Sequence, residues 1–282
     1  MKPPVPSLDG RLCLVTGAAS GIGRATALAA AQQGARLVLT DVQAESLEAV
    51  AREAGAAVAL HRALDITDVD AVRGLAADVH AAHGSVDVAM NIAGIATWGS
   101  VQELSHEQWR RTVDVNLMGP IHVIETFVPE MIRARRGGQL VNVSSAAGLV
   151  GLPWHAPYSA TKFGLRGVSE VQRFDLRRYR IGVTLVCPGG VDTPLTGTVD
   201  VAGIDSQAPH MQRLTERFRR HAKSPEHAAH CILDGVTHNR YLVYTSVDIR
   251  ALHALQRFAP PVYAAGMQLA NNRFVKEIRG PA

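Results

Sequence analysis

A glycine-rich turn between an apolar run and a helical stretch constrains the fold of this chain most strongly. Residues 11–16 are typical of a buried strand, and Gly17, Gly21 and Gly23 follow at once. Residues 25–33 favour a helix. Glycines let the backbone approach a pyrophosphate, and the first turn of the next helix offers free N–H groups. The sequence therefore predicts a phosphate-binding turn, with a tight turn built for packing as the alternative.

Asp41 ends a second predicted strand at 35–40. An acidic residue at this place in a βαβ unit accepts hydrogen bonds from the hydroxyls of the adenosine ribose and repels a 2′-phosphate. Neither the next residue, Val42, nor Ser20 in the glycine-rich turn is basic. Both observations favour NAD over NADP. Asp41 could also cap the helix that starts near Gln43.

Tyr158 and Lys162 stand four residues apart in the predicted helix 156–178, so both side chains leave the same face. An ammonium group near a phenol favours the phenolate, and we expect Lys162 to lower the pKa of Tyr158. A phenol of this kind exchanges a proton with an alcohol or a ketone. The spacing also occurs by chance on many helices.

Two further polar residues precede this pair. Ser145 follows a predicted strand near 139–143, and we prefer it to Ser144 because of its spacing to Tyr158. Asn116 lies between apolar residues inside a predicted helix, where asparagine is locally unfavourable, and this suggests a use. Taken singly, these residues also fit a turn at the end of a strand and a polar position in a helix interior.

The chain resembles the short-chain dehydrogenase/reductase family over residues 8 to about 194. The matching motifs are TGAASGIG (16–23), Asp65 in LDIT, NIAG (91–94), Asn116 in DVNLMG, Ser145 in NVSSAAG, Tyr158 with Lys162, and PGGVDT (188–193). Ile92 departs from the family pattern, which has asparagine there. The departure affects a structural hydrogen bond around the central strand and leaves the chemistry untouched.

This resemblance implies a mechanism. Tyr158 is the general acid/base, Lys162 assists it and binds the nicotinamide ribose, Ser145 holds the substrate oxygen, and Asn116 anchors a proton relay. The resemblance also implies that the cofactor NAD contacts Gly17, Ser20, Gly21, Ile22, Gly23, Asp41, Asp65, Ile66, Asn91, Ala93, Gly94, Pro188, Gly189, Val191 and Thr193, together with Tyr158 and Lys162.

Strands and helices alternate along the chain, which predicts an α/β fold: a Rossmann-type doubly wound parallel sheet of about seven strands with helices on both faces. The predicted strands lie near 11–16, 35–40, 56–61, 86–91, 138–144, 180–187 and 241–244. The predicted helices lie near 21–33, 43–54, 67–82, 105–135, 156–178, 206–221 and 224–237. We expect one dinucleotide-binding and catalytic domain over 1–246, with a substrate lid at about 194–223.

The lid contains an amphipathic helix. Met211, Leu214 and Phe218 share one face, and an arginine face lies opposite, formed by Arg213, Arg217 and Arg220. We interpret the arginine face as solvated rather than as a contact for an acidic group.

Residues 247–282 form a C-terminal extension, expected as two short helices around Pro260 and Pro261. Its apolar residues require a partner, which could be the same subunit, a neighbouring subunit or a membrane surface. We favour packing on the protein, where the extension and the nearby Trp154 and His155 would border an apolar substrate pocket.

The 282 residues carry a net charge of +4 and no Lys/Arg block, so no nucleic-acid partner is expected. The three cysteines have no metal spacing, and we expect no metal site and a cytoplasmic location. Neither a signal peptide nor an integral membrane segment is apparent. We expect a homo-oligomer, a dimer or a tetramer, built through helices 105–135 and 156–178.

The sequence thus predicts an NAD-dependent enzyme that interconverts a secondary alcohol and a ketone, with an apolar small-molecule substrate. A regulatory protein that binds NAD without turnover is the alternative. An epimerase or dehydratase of a related branch is a third hypothesis, which the loop at 188–193 disfavours.

Overall fold

The computed structural model describes residues 4–205 and 208–279, except for the side chain of Arg279. The strands in these ranges are β1 (Leu12–Thr16), β2 (Arg36–Asp41), β3 (Val58–Ala63), β4 (Val88–Asn91), β5 (Thr97–Trp98), β6 (Gly138–Val143), β7 (Ile181–Cys187), β8 (Asp200–Val201) and β9 (Leu242–Tyr244). The α-helices are α1 (Gly21–Gln32), α2 (Ala44–Ala54), α3 (Val69–His83), α4 (His106–Val113), α5 (Gly119–Ala134), α6 (Ala156–Asp175), α7 (Pro194–Gly197), α8 (Pro209–His221), α9 (Pro225–Thr237), α10 (Val247–Phe258) and α11 (Pro260–Arg279).

The central sheet has seven strands in the order β3-β2-β1-β4-β6-β7-β9, and every pairing in it is parallel. The order of the strands reverses between β1 and β4, which is the point where open α/β sheets place ligands outside their carboxyl ends. The predicted fold class and the seven predicted strands are therefore confirmed.

Both faces of the sheet are covered, because successive residues of β1 point to opposite sides. Cys13 and Val15 belong to one buried cluster, to which α1 and α9 contribute Ala27 and Ile232. Leu12 and Leu14 belong to a second cluster on the other face, which includes residues of α3 and α5. A strand that is buried on both faces has an unbroken run of apolar residues, and this explains why β1 could be predicted from the sequence.

The predicted helix 105–135 is wrong as a single element. A π-helical turn (Asp114–Met118) separates α4 from α5, and it contains the buried Asn116. Single π turns inside α-helices are frequent at functional sites. Periodicity did not reveal it, because apolar residues continue on both sides of the turn.

A small sheet that the sequence did not predict connects the loop after β4 to the segment predicted as a lid, 194–223. β5 pairs with β8 in parallel, with Thr97 opposite Asp200 and Trp98 opposite Val201. Gln108 of α4 adds a hydrogen bond from its Nε2 to Asp200 Oδ2 at 2.9 Å. Two-residue strands are too short to give a pattern in the sequence. Of the predicted lid helix 206–221, residues 206 and 207 lie outside the described part of the chain.

The C-terminal helices pack on the rest of the chain. α10 and α11 are separated at Ala259, immediately before Pro260, and α11 is longer than the short helix expected. The Tyr263 hydroxyl accepts a hydrogen bond from Gly151 N at 3.1 Å. Near the other end of α11, Ile278 is fully buried and its carbonyl bonds the His210 ring of α8 at 2.9 Å. The extension therefore spans from the loop before α6 to α8.

Candidate active site

The glycine-rich turn has the backbone conformation that a phosphate site requires. Gly17 and Gly21 have φ angles of +68° and +51°, a region that glycine adopts without strain. A Cβ atom on Gly23 would lie 1.9 Å from the carbonyl oxygen of Gly17, so a side chain cannot be accommodated there. Ser20 precedes α1 without capping it through its side chain, which leaves the N–H groups of the first turn available. These features fit a pyrophosphate group.

Asp41 lies at the end of β2 and is nearly buried. Its Oδ2 accepts a hydrogen bond from Ala19 N at 3.0 Å, and its Oδ1 accepts one from Gln43 N at 2.9 Å. The carboxylate therefore orders both the glycine-rich turn and the start of the next loop. Val42 beside it is exposed and offers no positive charge to a 2′-phosphate.

A cleft of about 710 Å³ runs along this edge of the sheet. The predicted cofactor-binding residues that line it are Gly17, Ser20, Gly21, Ile22, Gly23, Asp41, Asp65, Ile66, Ala93, Gly94 and Thr193. The cleft starts at the carboxyl ends of β1 to β4, as the strand order requires. Residues that the sequence analysis missed also line it, namely Val42, Gln43, Leu64, Thr67, Ile92, Ile95, Val115, Pro194, Leu195, Thr198 and, from α4 and the π turn, Glu107, Arg110, Arg111 and Asp114.

The missed residues fall into two groups. Val42, Ile92 and Ile95 adjoin residues that were predicted, and their place next to the motifs could have identified them. Arg110 and Arg111 of α4 gave no such signal, because exposed arginines on a helix are ordinary and only the folded chain brings α4 to the cleft.

Other predicted cofactor residues lie outside the lining of the cleft. Asn91 is buried, and its Nδ2 donates a hydrogen bond to Asn142 Oδ1 at 2.9 Å within the central sheet. Pro188 accepts a hydrogen bond from Ala146 N, Gly189 donates one to Thr245 Oγ1, and Val191 is buried in a bridge to Lys223. Since Asn91 is hydrogen-bonded within the sheet, the Ile92 departure leaves this link between β4 and β6 in place.

Asn116 is held by both atoms of its amide. Its Oδ1 accepts a hydrogen bond from Ile95 N at 2.8 Å, and its Nδ2 donates to Ile95 O at 2.9 Å. The same Nδ2 lies 3.4 Å from Thr161 Oγ1 of α6. A Cβ atom on Gly94 would lie 3.0 Å from Asn116 Oδ1 and 3.5 Å from Lys162 Nζ. Gly94 therefore brings the cleft next to Asn116 and Lys162.

Ser145, Tyr158 and Lys162 converge from the end of β6 and the first turns of α6. The Ser145 side chain lies near enough to the Tyr158 hydroxyl to lower its pKa, and its Oγ accepts a hydrogen bond from Ala147 N at 3.1 Å. Lys162 Nζ lies 5.6 Å from the centre of the Tyr158 ring and donates a hydrogen bond to Val143 O at 3.0 Å. Ser144 is turned away, since its Oγ donates to Lys162 O at 2.9 Å. Ser144 is thus engaged with the backbone of α6, and the choice of Ser145 stays a prediction.

The electrostatics of this group differ from the expectation. Burial raises the pKa of the Tyr158 phenol above its ordinary value, and the nearby Ser145 side chain acts against this rise. The predicted lowering of this pKa by Lys162 is therefore wrong for the net effect in this structure, because desolvation dominates. Burial also lowers the pKa of Lys162 from 10.5 to about 8. Because both groups are buried, the protonation of the Tyr158 phenol and of the Lys162 amine is sensitive to any charge that enters the cleft.

A parallel doubly wound sheet with a glycine-rich turn, an acidic residue after β2 and a Ser–Tyr–Lys group defines a class of nucleotide-dependent oxidoreductases. The short chain dehydrogenase family profile matches residues 11–202. The chain belongs to this family. Within it, the chain is 35% identical to SadH of Mycobacterium tuberculosis, provisionally named an oxidoreductase, over 262 residues that cover 91% of this chain and 94% of SadH.

Two further comparisons agree. The chain is 40% identical to D-threitol dehydrogenase of Mycolicibacterium smegmatis over 190 residues, 67% of this chain and 73% of that enzyme. Its structure superposes on that of a short chain dehydrogenase/reductase from Burkholderia phymatum in complex with NAD, with a TM-score of 0.82 and 28% identity, over 91% of this chain and 96% of that one. These relatives support an enzyme of the oxidoreductase class.

Two other sequence-based expectations concern absences. Within residues 4–205 and 208–279, no group of three or more His, Cys, Asp or Glu side chains is arranged to hold a metal ion. No helix in the same ranges has the length and apolar character needed to cross a membrane.

Proposed function

We propose that the protein is an NAD(H)-dependent oxidoreductase that interconverts a secondary alcohol and a ketone. The observation that carries this proposal is the convergence of Ser145, Tyr158 and Lys162, with Lys162 Nζ 5.6 Å from the centre of the Tyr158 ring and 3.5 Å from the position a Cβ atom on Gly94 would take in the wall of the cleft. A phenol in this position exchanges a proton with a substrate oxygen.

The lining of the cleft suits the adenosine and pyrophosphate parts of a dinucleotide. The turn at Gly17–Gly23 and the uncapped start of α1 suit the pyrophosphate, and Asp41 suits the hydroxyls of the adenosine ribose. Lys162, next to Gly94, would bind the sugar at the nicotinamide end. When bound, NAD supplies the hydride-accepting ring, and the protein supplies orientation and proton transfer.

The residues of the chain then have separate tasks. Tyr158 takes the hydroxyl proton when the alcohol is oxidised and returns it when the ketone is reduced. Ser145 positions the substrate oxygen beside the Tyr158 hydroxyl. Because the Lys162 amine has a pKa of about 8, it is mostly protonated at neutral pH and stabilises negative charge on the phenol oxygen. Asn116 fixes the loop at Ile95 against α6 and keeps this arrangement in register.

A substrate screen with a point variant tests the proposal. We expect the wild-type protein to change NADH absorbance with a subset of secondary alcohols or ketones. Tyr158→Phe should lower kcat by about a thousandfold, since positioned acid/base groups contribute roughly 10²–10⁴. Tyr179→Phe is the matched control, because Tyr179 lies beyond the C-terminal end of α6 and packs against the second buried cluster. If the wild type and the Tyr158→Phe variant both bind NADH and neither turns over any substrate, the non-catalytic alternative is favoured.

We also propose that the protein is a homo-oligomer. Large apolar side chains remain exposed around α5 and α6, namely Met118, Phe163, Val171 and Phe174, and a second copy of the chain would cover them. Light scattering coupled to size exclusion measures the mass, and a monomer at micromolar concentration would refute this assembly. A cytoplasmic location stays a prediction from the three unpaired cysteines.

A further inference from the structure

A series of aromatic rings extends from Tyr158 to the C-terminal helix. His155 lies at the N-terminus of α6, three residues before Tyr158, and the two ring centres are 6.3 Å apart. On its other side His155 packs against Trp98 of β5, with ring centres 4.4 Å apart and planes inclined at 34°. The loop before α6 and the loop after β4 thus meet through stacked rings next to the proposed acid/base residue.

Phe274 of α11 continues this series. Its ring centre is 6.3 Å from that of Trp98 and 6.2 Å from that of Trp154, at interplanar angles of 67° and 77°. Phe274 therefore contacts two indoles from two different loops in edge-to-face geometry, which is favourable for aromatic pairs. The family profile ends at residue 202, so this ring comes from a part of the chain that the family match does not cover.

The position of Phe274 is fixed by contacts between α11 and the lid. Ile278, one helical turn further on, is fully buried with Val201 and Met211. Glu277 forms ion pairs with Arg217 of α8 and with Arg273. The arginine face of α8 is therefore partly paired, and the expectation that it is solvated is wrong at Arg217. Since these contacts join α8 to α11, the position of the Phe274 ring is coupled to α8.

The series of rings formed by Trp98, Trp154, His155 and Phe274 is apolar and uncharged. Trp98, Trp154, His155 and Phe274 each retain partial exposure, so the rings still present surface. Burial lowers the pKa of His155 to about 4, against the opposing effect of its hydrogen bond to Pro153 O, so its ring is neutral at pH 7. A neutral aromatic surface favours a flat apolar group and gives no counter-charge to an anionic one.

We propose that Phe274 is a specificity-determining residue, and that α11 supplies a wall of the substrate pocket which selects alcohols and ketones carrying an aromatic or other flat apolar ring beside the reacting carbon. This inference rests on the proposed function, because it places the ring-binding surface next to Tyr158. It extends that function by naming the substrate class and the element that selects it.

Two methyl ketones that differ in one substituent test the proposal, acetophenone with a phenyl group and 2-butanone with an ethyl group. We expect Phe274→Ala to lower kcat/KM for acetophenone roughly tenfold or more, because an apolar contact of this size contributes a factor of about 10–200. The value for 2-butanone should stay within about twofold. Phe274→Leu keeps an apolar filler without the ring and should give an intermediate loss. It also serves if the alanine variant does not fold.

Phe258→Ala is the matched control, because Phe258 lies in the same extension with 80% of its surface exposed. Equal losses for both ketones in Phe274→Ala would mean a purely structural role and would overturn the proposal, as would no loss for either. NADH binding is measured first, to show that the cofactor half is intact in every variant.

A second readout separates this inference from the proposed function. Acetophenone binding is followed through tryptophan fluorescence, since two of the three tryptophans, Trp98 and Trp154, contact Phe274. If the wild type turns over none of the secondary alcohols and ketones in the screen, the alcohol–ketone function fails. Quenching that is present in the wild type and about tenfold weaker in Phe274→Ala would still support the aromatic wall. Equal quenching in both proteins, or none in the wild type, would overturn it.

Discussion

The cofactor half and the substrate half of this molecule are built in different ways. In the cofactor half, backbone geometry at the ends of β1 to β4 forms the site, and glycine positions and one carboxylate define it. In the proposed substrate half, β5 pairs with β8 through the backbone, and α11 joins β5 and α8 through side chains from distant parts of the chain, with Phe274 and Glu277 as the main contacts. A backbone site tolerates little change in sequence, whereas a side-chain site can be altered one residue at a time.

The largest effect is expected in the cofactor half. A methyl group on Gly23 would lie 1.9 Å from the Gly17 carbonyl oxygen, so Gly23→Ala must distort the turn. We expect cofactor affinity to fall roughly tenfold to a hundredfold, since overpacking costs about 1–3 kcal/mol. Gly74→Ala in α3 is the control, because nothing lies within 4 Å of that Cβ position. Its stability should rise by up to about 1 kcal/mol. NADH titration by fluorescence measures the first effect, and unchanged affinity would contradict this account of the turn.

Lys162 lies where the two halves meet, and its buried amine gives a pH-dependent stability. Its pKa is about 8 in the folded protein against 10.5 ordinarily, so the unfolded chain binds more protons between these values. Folding stability contributed by this group therefore rises as pH increases from 8 to 10.5. In Lys162→Met this pH-dependent contribution is absent. The free energy of unfolding of the wild type should therefore rise relative to that of the variant by about 3 kcal/mol between pH 8 and 10.5. Urea unfolding at a series of pH values measures the difference, and a constant gap would refute the burial of a titrating amine.

Removing the extension should affect the substrate half alone. A chain that ends at residue 258 loses α11 with Phe274, and we expect kcat/KM for acetophenone to fall roughly tenfold or more. The dissociation constant for NADH should change less than about twofold, because α11 contributes no residue to the cofactor cleft. Parallel loss of cofactor binding would show that the two halves are not separable.

Asp41→Ala gives a smaller effect within the cofactor half. The variant removes the proposed ribose acceptor and the charge that repels a 2′-phosphate, so the preference for NAD over NADP should relax roughly tenfold, in line with about 1.5 kcal/mol for a hydrogen bond to a charged group. The ratio of kcat/KM values for the two cofactors measures it. Because Asp41 also binds Ala19 N and Gln43 N, Asp41→Asn serves as a control that retains one acceptor oxygen.

The smallest effect is expected at the ion pair between α8 and α11. Glu277→Gln weakens the pairs with Arg217 and Arg273, and solvent-accessible pairs of this kind contribute about 0–1 kcal/mol. We expect a decrease in Tm of no more than a few degrees, and an increase in KM for acetophenone that high salt reproduces in the wild type. A collapse in stability would mean that Glu277 has a larger structural role.

The same contrast explains what the sequence could predict. β1 and the turn at Gly17–Gly23 are each formed by residues adjacent in sequence, so the apolar run and the glycine spacing predict them without knowledge of the fold. Tyr158 and Lys162 are legible because four residues span one helical turn. The contact of Phe274 with Trp98 joins residues 176 positions apart, and no local pattern encodes it. The sequence could not predict the net rise in the pKa of Tyr158 either, because desolvation depends on the packing of the folded chain.

The π-helical turn at Asp114–Met118 makes the chain sensitive to its own length at this place. Such a turn holds one residue more than an uninterrupted helix requires. Shortening it by a single amino acid would leave a more regular helix, yet it would swing the Asn116 amide away from Ile95 by about 100°. At this point a regular helix and a positioned amide are mutually exclusive, so an insertion or deletion here should be far less acceptable than a substitution.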